Sequence, residues 1–451
     1  MRARTVLTLS MAMVLIAGFT GTAHARVPVQ PGNATPDMFI PSAGCGCHGS
    51  LVQQWSASMH ARAIVDPVFL AKVAEAEAEA GEEVAIFCKR CHAPVGNMTG
   101  DFDGTGSDVA REGVACMFCH QVVGIGDEIA NVAHLLEPDL TRRAQLEDPQ
   151  APHPAEYSTV HPEAEICGGC HNVNHPTNGT HLETSYSEWA ASPYASEGVV
   201  CQDCHMSAQA GVVGPSSGSV AAGGPQRDNV YAMTFVGGNV GQGPADESRA
   251  LLQSAATVSM DLPDIVSPST TASFTVTITN KGAGHYLPTG LTEVREMWLR
   301  VYAEMEDGTT AEIGERHFGT MLEDAEGNYP AEMWKAVAVH SDDRIPPRES
   351  VSESYSFAMP ADAERSTVVA VLNYRSMPDE LAEKAGVENP VTEMAFARTT
   401  VYASQEAKAG STDGSTEESG VQFEWWYVAV GVAALAAVAL AVVLRRSRKK
   451  D

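Results

Sequence analysis

The chain has 451 residues, ten cysteines and a formal net charge of −28. That acidity excludes nucleic acid and anionic lipid as partners of the main body of the chain. The length calls for more than one domain.

Residues 1–25 read as a signal peptide. Arg2 and Arg4 form the charged start, Val6 to Phe19 is mostly apolar, and Ala23-His24-Ala25 is a small-x-small cleavage site. The first cysteines follow in an irregular cluster, Gly44-Cys45-Gly46-Cys47-His48. One helix is predicted from Val68 to Ala85, with Glu75, Glu77, Glu79, Glu82 and Glu83 on a solvated face.

Four Cys-x-x-Cys-His motifs come next: Cys88-Lys-Arg-Cys91-His92, Cys116-Met-Phe-Cys119-His120, Cys167-Gly-Gly-Cys170-His171 and Cys201-Gln-Asp-Cys204-His205. Cys-x-x-Cys pairs alone also suit zinc or disulfides. Neither explains the adjacent histidine. With 15 histidines in 451 residues, four chance placements have a probability of roughly one in a million, so the histidine is part of the motif. Two thiols at this spacing reach the two vinyl groups of a porphyrin, and the histidine lies beneath the iron as proximal ligand. The pattern therefore predicts four c-type haems. The irregular cluster predicts a fifth, attached by one thioether through Cys47 with His48 as ligand. Its alternative is an unhaemed Cys45/Cys47 dithiol.

Residues 26–210 hold every cysteine. About 37 residues per motif cannot build an ordinary core around each porphyrin, so the haems themselves must be the core. We expect a haem-packed, mainly α and irregular domain. Residues 211–255 are rich in Gly, Ser and Pro and read as a linker. From 256 to 404 the pattern turns to strands. Phe274, Val276 and Ile278 alternate with Thr275, Thr277 and Thr279, and further runs lie at 297–302, 333–339, 351–357, 367–374 and 397–402. An all-β sandwich without cysteine is the expectation.

Residues 405–424 read as a polar stalk. The apolar run at 425–446 is predicted to be a single transmembrane helix, with Trp425 and Trp426 at the outer interface. The basic tail at 447–451, with Arg445 and Arg446 before it, then stays in the cytoplasm and the ectodomain lies outside. A buried core helix is the competing reading of that run.

With His48, His92, His120, His171 and His205 as proximal ligands, nine histidines remain outside the signal: His60, His134, His153, His161, His175, His181, His285, His317 and His340. They are the pool for the distal positions. Here the chain resembles a known family. Cys47-His48 followed by Gln54-Trp55, Ser58, His60-Ala61, Asp66-Pro67 and Phe69 is similar to the start of the multihaem cytochromes typified by the tetrahaem electron acceptor of hydroxylamine oxidoreductase in nitrifying bacteria. The resemblance implies that His60 is a distal ligand. His161-Pro-Glu-Ala-Glu-Ile-Cys167, and Glu188-Trp189 through Pro193-Tyr194 to Met206, are similar to related multihaem proteins and make His161 the second choice.

Asn280-Lys-Gly-Ala-Gly284-His285-Tyr-Leu-Pro288-Thr289-Gly290 is similar to a segment of larger relatives in which the histidine reaches back to a haem. That resemblance implies His285 as a distal ligand clamping the β domain to the haem domain; the alternative is a loop histidine. His134 and His153 complete the candidates. Met233 stands where relatives tend to carry histidine, and it either ligates an iron or packs on a haem face.

The leading functional expectation is an electron carrier with four or five closely packed haems, facing basic redox proteins or quinol-oxidising membrane complexes. The alternative is an enzyme acting on a small nitrogen or sulfur compound at one five-coordinate haem. Such a site often uses Cys-x-x-Cys-Lys, which is absent here, and the irregular His48 motif is the expected vacancy. A third reading is a filament or larger assembly, against which a permanent anchor argues.

Overall fold

The computed structural model describes residues 28–291, 293–411 and 417–420. The signal peptide, the segment 425–446 and the basic tail lie outside the described residues.

The cysteine-bearing part is built from short helices and loops. Helix Pro67–Ala80 begins where Asp66 accepts hydrogen bonds from the amides of Val68 and Phe69, with Pro67 in the first turn. It ends at Gly81, whose φ of 96° is open to glycine alone at no steric cost. The helix expected to run on to Ala85 is thus two, and the second, Glu82–His92, carries the first regular motif on its last turns. The glutamates between them are not simply solvated. Glu75 pairs with Lys72 and Lys384, and Glu79 pairs with Lys335 and accepts from the Trp334 indole. The other regular motifs lie on or beside single turns at Cys116–Cys119, Glu165–Gly168 and Cys201–His205.

Residues 211–255 are an ordered part of the fold. They contain a hairpin of Ser216–Gly218 with Arg227–Val230 and a helix, Ala245–Ala255. Beyond them, strands Ala256–Asp261, Thr271–Asn280 and Ser350–Ala358 form one antiparallel sheet, with Thr271–Asn280 central. A second antiparallel sheet runs in the order Thr310–Phe318, Glu296–Glu304, Arg365–Arg375, Thr392–Tyr402, Glu417–Gly420. The alternation read in the sequence is kept: Phe274, Val276 and Ile278 are buried together with Met297, Leu299, Val301, Val368, Ala370 and Leu372.

The expectation of an all-β sandwich is nevertheless corrected. The described chain has many short helices and several small sheets, five of them two-stranded. Within 256–404, the ribbon Thr320–Asp324/Ala336–Asp342 pairs apart from both larger sheets, and helix Asp379–Ala385 packs against helix Pro67–Ala80 through Leu381, Ala382, Val68 and Ala71. Alternation reports which face of a strand is buried; it does not report how strands group into sheets.

The membrane anchor is corrected as well. No helix among the described residues is long and apolar enough to cross a membrane. The longest, Pro67–Ala80, has 14 residues, about 21 Å at 1.5 Å per residue and short of a hydrocarbon core of about 30 Å. Single-pass attachment is therefore not carried into the functional reading.

One buried ion pair joins the two halves. Glu188, on helix Ser185–Ala190, contacts Arg344 Nη1 at 2.5 Å and accepts from the Tyr286 amide at 2.9 Å and the Thr289 hydroxyl at 2.8 Å. Both charged side chains are nearly inaccessible, at 5% and 6% exposure. Arg344 is held by Asp342 as well, at 2.7 Å, so truncating Glu188 removes one of its two carboxylates and leaves the Tyr286 amide without its acceptor. Glu188→Ala should destabilise the fold by about 1–3 kcal/mol, read as a lower thermal unfolding midpoint, and Glu188→Gln should cost less.

Candidate functional site

All ten cysteines line one cavity of about 1220 Å³, walled by the cysteine-bearing part of the chain together with residues of 211–255 and of the β-rich region. This exceeds the roughly 300–1,000 Å³ of an ordinary small-molecule pocket. Leu51, Val52, Trp55, Phe69, Leu252 and Leu287 are among its apolar walls. All ten cysteines are unbridged. Among the described residues no three His, Cys, Asp or Glu side chains converge as a metal-ion cage, as a zinc knuckle would require.

Each of the five motif histidines is anchored in the same way. Nδ1 is hydrogen-bonded to an oxygen: His48 to Val220 O at 2.7 Å, His92 to Ala63 O at 3.0 Å, His120 to Arg143 O at 2.7 Å, His171 to Glu183 Oε1 at 3.2 Å and His205 to Val236 O at 2.6 Å. In the four bonds to carbonyls the proton sits on Nδ1, so Nε2 of the neutral ring keeps its lone pair. Metal-ligating histidines are oriented by such outer bonds. Two of the acceptors, Val220 and Val236, come from the segment expected to be a linker. Arg143, whose carbonyl serves His120, is itself fixed by its buried guanidinium bonding Glu137 at 2.9 Å and Asp139 at 3.0 Å.

Four motif histidines face a second imidazole. Ring centroids are 6.3 Å apart for His48 and His153, 6.3 Å for His60 and His171, 5.8 Å for His120 and His161, and 6.1 Å for His205 and His285. Two imidazoles bound trans to one metal, each about 2.0 Å from it, place their centroids roughly 6 Å apart. The last three pairs are near parallel, at 27°, 15° and 20°, and the first is tilted at 50°. Burial pushes His60 and His161 down to about 3 and His205 down to about 4, which keeps these rings neutral, the form that ligates iron. Burial also lowers His171, but Glu183 outweighs it and carries that ring up to about 9.

The remaining candidates are placed differently. His92 has Phe69 stacked on its face at 3.7 Å, and among the ring contacts of the described residues it meets no imidazole. His134 packs edge-on against Phe118 and bonds Ile166 O at 2.8 Å, with no motif histidine opposite. Met233 lines the cavity, with its amide on Gln54 Oε1 at 2.9 Å. His161 holds Ser158 Oγ through Nδ1, while its Nε2 lies 2.9 Å from Cys119 O. His285 is presented by a loop over-determined by Asn280, which donates to His285 O at 2.9 Å and to Ile345 O at 3.0 Å. His175 lines the cavity and bonds Trp334 O. Outside the site, His181 bonds Asn174 Oδ1, and His317 and His340 sit by Glu315 and Glu323.

Thiols of different motifs act on one another. Cys45 is within hydrogen-bonding reach of Cys116, Cys91 of Cys170, and Cys167 of Cys201. In the first pair the hydrogen bond from Cys116 brings the Cys45 thiol down to about 7 against its burial, and raises Cys116. Cys45 is thus turned towards the second regular motif, while Cys47 stays exposed beside His48. Sequence reasoning missed Glu183 and the carbonyl anchors, which no local motif announces. It also missed Glu293, both of whose carboxylate oxygens are buried without a partner, and burial pushes that carboxyl up to about 7.

The family model described as "Cytochrome c554 and c-prime" matches residues 44–121, which include the irregular cluster and the first two regular motifs. A comparison with curated proteins gives no match. Among solved structures, a penta-heme cytochrome c552 from Thermochromatium tepidum aligns with a TM-score of 0.62 and 22% identity, covering 81% of this chain and 100% of that one. At that identity the likeness is one of fold. The CARDB domain of the PF1109 protein from Pyrococcus furiosus aligns over 33% of this chain and 90% of that one, with 16% identity and a TM-score of 0.19, too low to carry an argument.

Together with the motifs, these matches support a multihaem c-type cytochrome, and the chain carries several covalently attached haem c groups. The residues fit the group: paired thiols line one cavity, and each adjacent imidazole has its Nδ1 tied back. From the turned-away Cys45, Cys47→Ser should lower the haem-to-protein ratio by one, and Cys45→Ser should leave it unchanged. A pyridine haemochrome assay of the two variants reads the difference.

Proposed function

We propose that the chain is an extracytoplasmic electron carrier holding five haem c groups, one at each motif including the irregular first. The observation that carries this reading is the set of facing imidazoles at 5.8–6.3 Å. When bound, the haem groups supply one-electron redox centres. The chain's own part is to hold them. His48, His92, His120, His171 and His205 would serve as proximal ligands, and His153, His60, His161 and His285, which face His48, His171, His120 and His205, would serve as distal ligands. An iron held between two imidazoles has no vacancy for a substrate, which favours electron transfer over chemistry.

The interactions between thiols of different motifs support an order of neighbours. Cys45 beside Cys116 brings the irregular cluster next to the His120 motif. Cys170 beside Cys91, and Cys167 beside Cys201, bring the His171 motif next to both the His92 and the His205 motifs. Cys119 interacts with Cys167 and Cys170 as well, which joins the two groups. Electrons would travel a branched path with the His171 motif at the branch. The net charge of −28 steers a basic redox protein to its surface.

A second reading rests on His92, which faces Phe69 and no second imidazole. If one iron is five-coordinate it is this one, and not that of His48. An open position there would admit a small nitrogen or sulfur compound. One experiment on the mature protein separates the readings. The expected result is five haems per chain, with four low-spin ferric haems and one high-spin haem in the EPR spectrum. A high-spin signal that shifts on adding nitrite or hydroxylamine, with turnover of the added compound, would make the His92 site an enzyme. Five low-spin haems would close it. Several high-spin haems would break the facing-imidazole assignment and the carrier reading with it.

A further inference from the structure

The five motif histidines differ in what holds Nδ1. Four bond neutral backbone carbonyls, those of Val220, Ala63, Arg143 and Val236. His171 alone among them bonds a carboxylate, Glu183 Oε1, at 3.2 Å. The contact is built by the chain just after the motif. Val173–Asn174 pairs antiparallel with His181–Glu183, with Val173 opposite Glu183, so the hairpin returns the carboxylate to the histidine it follows. Glu183 is largely buried, at 12% exposure, and Ser185 Oγ donates to the same Oε1 at 3.2 Å. The Ser185 hydroxyl is held in turn by Thr289 Oγ1 at 2.8 Å. The carboxylate is therefore fixed in place and not a passing surface contact.

We propose that Glu183 is a redox-tuning residue, which holds the haem of the Cys167–His171 motif at a lower midpoint potential than a neutral acceptor would. The cause is electrostatic. A carboxylate accepting the Nδ1 proton pushes electron density into the ring and makes Nε2 a stronger donor to iron. The ferric form carries one more positive charge than the ferrous form, so it gains more from that donor and from the buried negative charge beside it. The four carbonyl-anchored histidines lack this charge.

The effect falls where it matters for conduction, and this step rests on the electron-transfer reading above. The His171 motif has its sulfurs against those of the His92 and His205 motifs, and lies near Cys119 of the His120 motif. An electron entering this branch point reduces it by one and oxidises the donor by one, and leaves by the reverse exchange. No bond of the chain is made or broken. A branch point of lowered potential passes electrons on without storing them. A branch point of high potential would trap the first electron and block the arms.

The test is a spectroelectrochemical titration of the holoprotein and two variants. Glu183→Gln keeps the shape and an acceptor but removes the charge, and one haem midpoint should move to more positive potential. Ser185→Ala removes the hydroxyl that shares the carboxylate, strengthens its pull on His171, and should move the same midpoint the opposite way. Unchanged midpoints in both variants, or shifts of the same sign, would overturn the proposal. The haem-to-protein ratio and the low-spin count, measured on the same samples, separate failure of the tuning from failure of the carrier reading. A missing haem, or high-spin signals from more than one haem in the unaltered protein, sinks the latter; five haems with at most one high-spin signal and no shift sink only the role of Glu183.

Discussion

The constraint on which the rest depends is that the chain must wrap its cofactors with too little polypeptide. Ten cysteines open on one cavity, and the helices that carry the motifs are mostly a single turn. Such pieces cannot stabilise themselves, since one turn fixes several dihedrals for one hydrogen bond. What holds them is what each histidine grips. Four of the five Nδ1 bonds run to carbonyls of other segments, such as Ala63 for His92 and Val220 for His48. Each bond orients a ligand and closes a long loop at once.

This explains why the β-rich region is part of the site and not an appendage. His285 reaches the cavity from a loop that begins at the end of strand Thr271–Asn280. The Glu188–Arg344 pair and the Tyr286 and Thr289 contacts bolt that loop to helix Ser185–Ala190, close to the hairpin that carries Glu183. Ser185 and Thr289 share a hydrogen bond, so the loop bearing one ligand also positions the group acting on another. A buried ion pair is weak evidence for stability, because desolvation offsets much of its attraction. Here its evident effect is on geometry, fixing where a loop imidazole lies.

Much of this was legible in the sequence where the signal is local. The Cys-x-x-Cys-His spacing announces itself without tertiary knowledge, and the Phe274, Val276, Ile278 alternation marks a buried strand face. The resemblance pointed to His60, His161 and His285, and each faces a motif histidine. What is set by packing was not legible. The expected vacancy at His48 is met by His153, which lies on an irregular loop with no motif around it. His92, in a regular motif, is the ring left facing a phenyl group. Gly81 was one glycine in an alanine- and glutamate-rich run, and only its backbone angle shows that it splits the helix. Glycine and serine content made 211–255 look like a linker, yet its carbonyls are what two ligands require, and a carbonyl is present in every residue. Strand runs gave no count of sheets, and an apolar run at 425–446 has no counterpart among the described helices.

The difference between Glu183 and the four carbonyls shows how one ligand chemistry can give unequal centres. On the proposed reading all five proximal groups are imidazoles, so the first coordination sphere would not separate them. Variation has to come from the second sphere, from burial, or from an open distal position. This chain uses all three in different places: a carboxylate behind His171, buried neutral rings at His60, His161 and His205, and a phenyl group on His92. Only the first adds a fixed charge, and it stands where three motifs meet a fourth. A charge at a terminal motif would bias one exchange with one partner. A charge at the branch biases every transfer between arms, so the branch is the position where one residue has the widest reach.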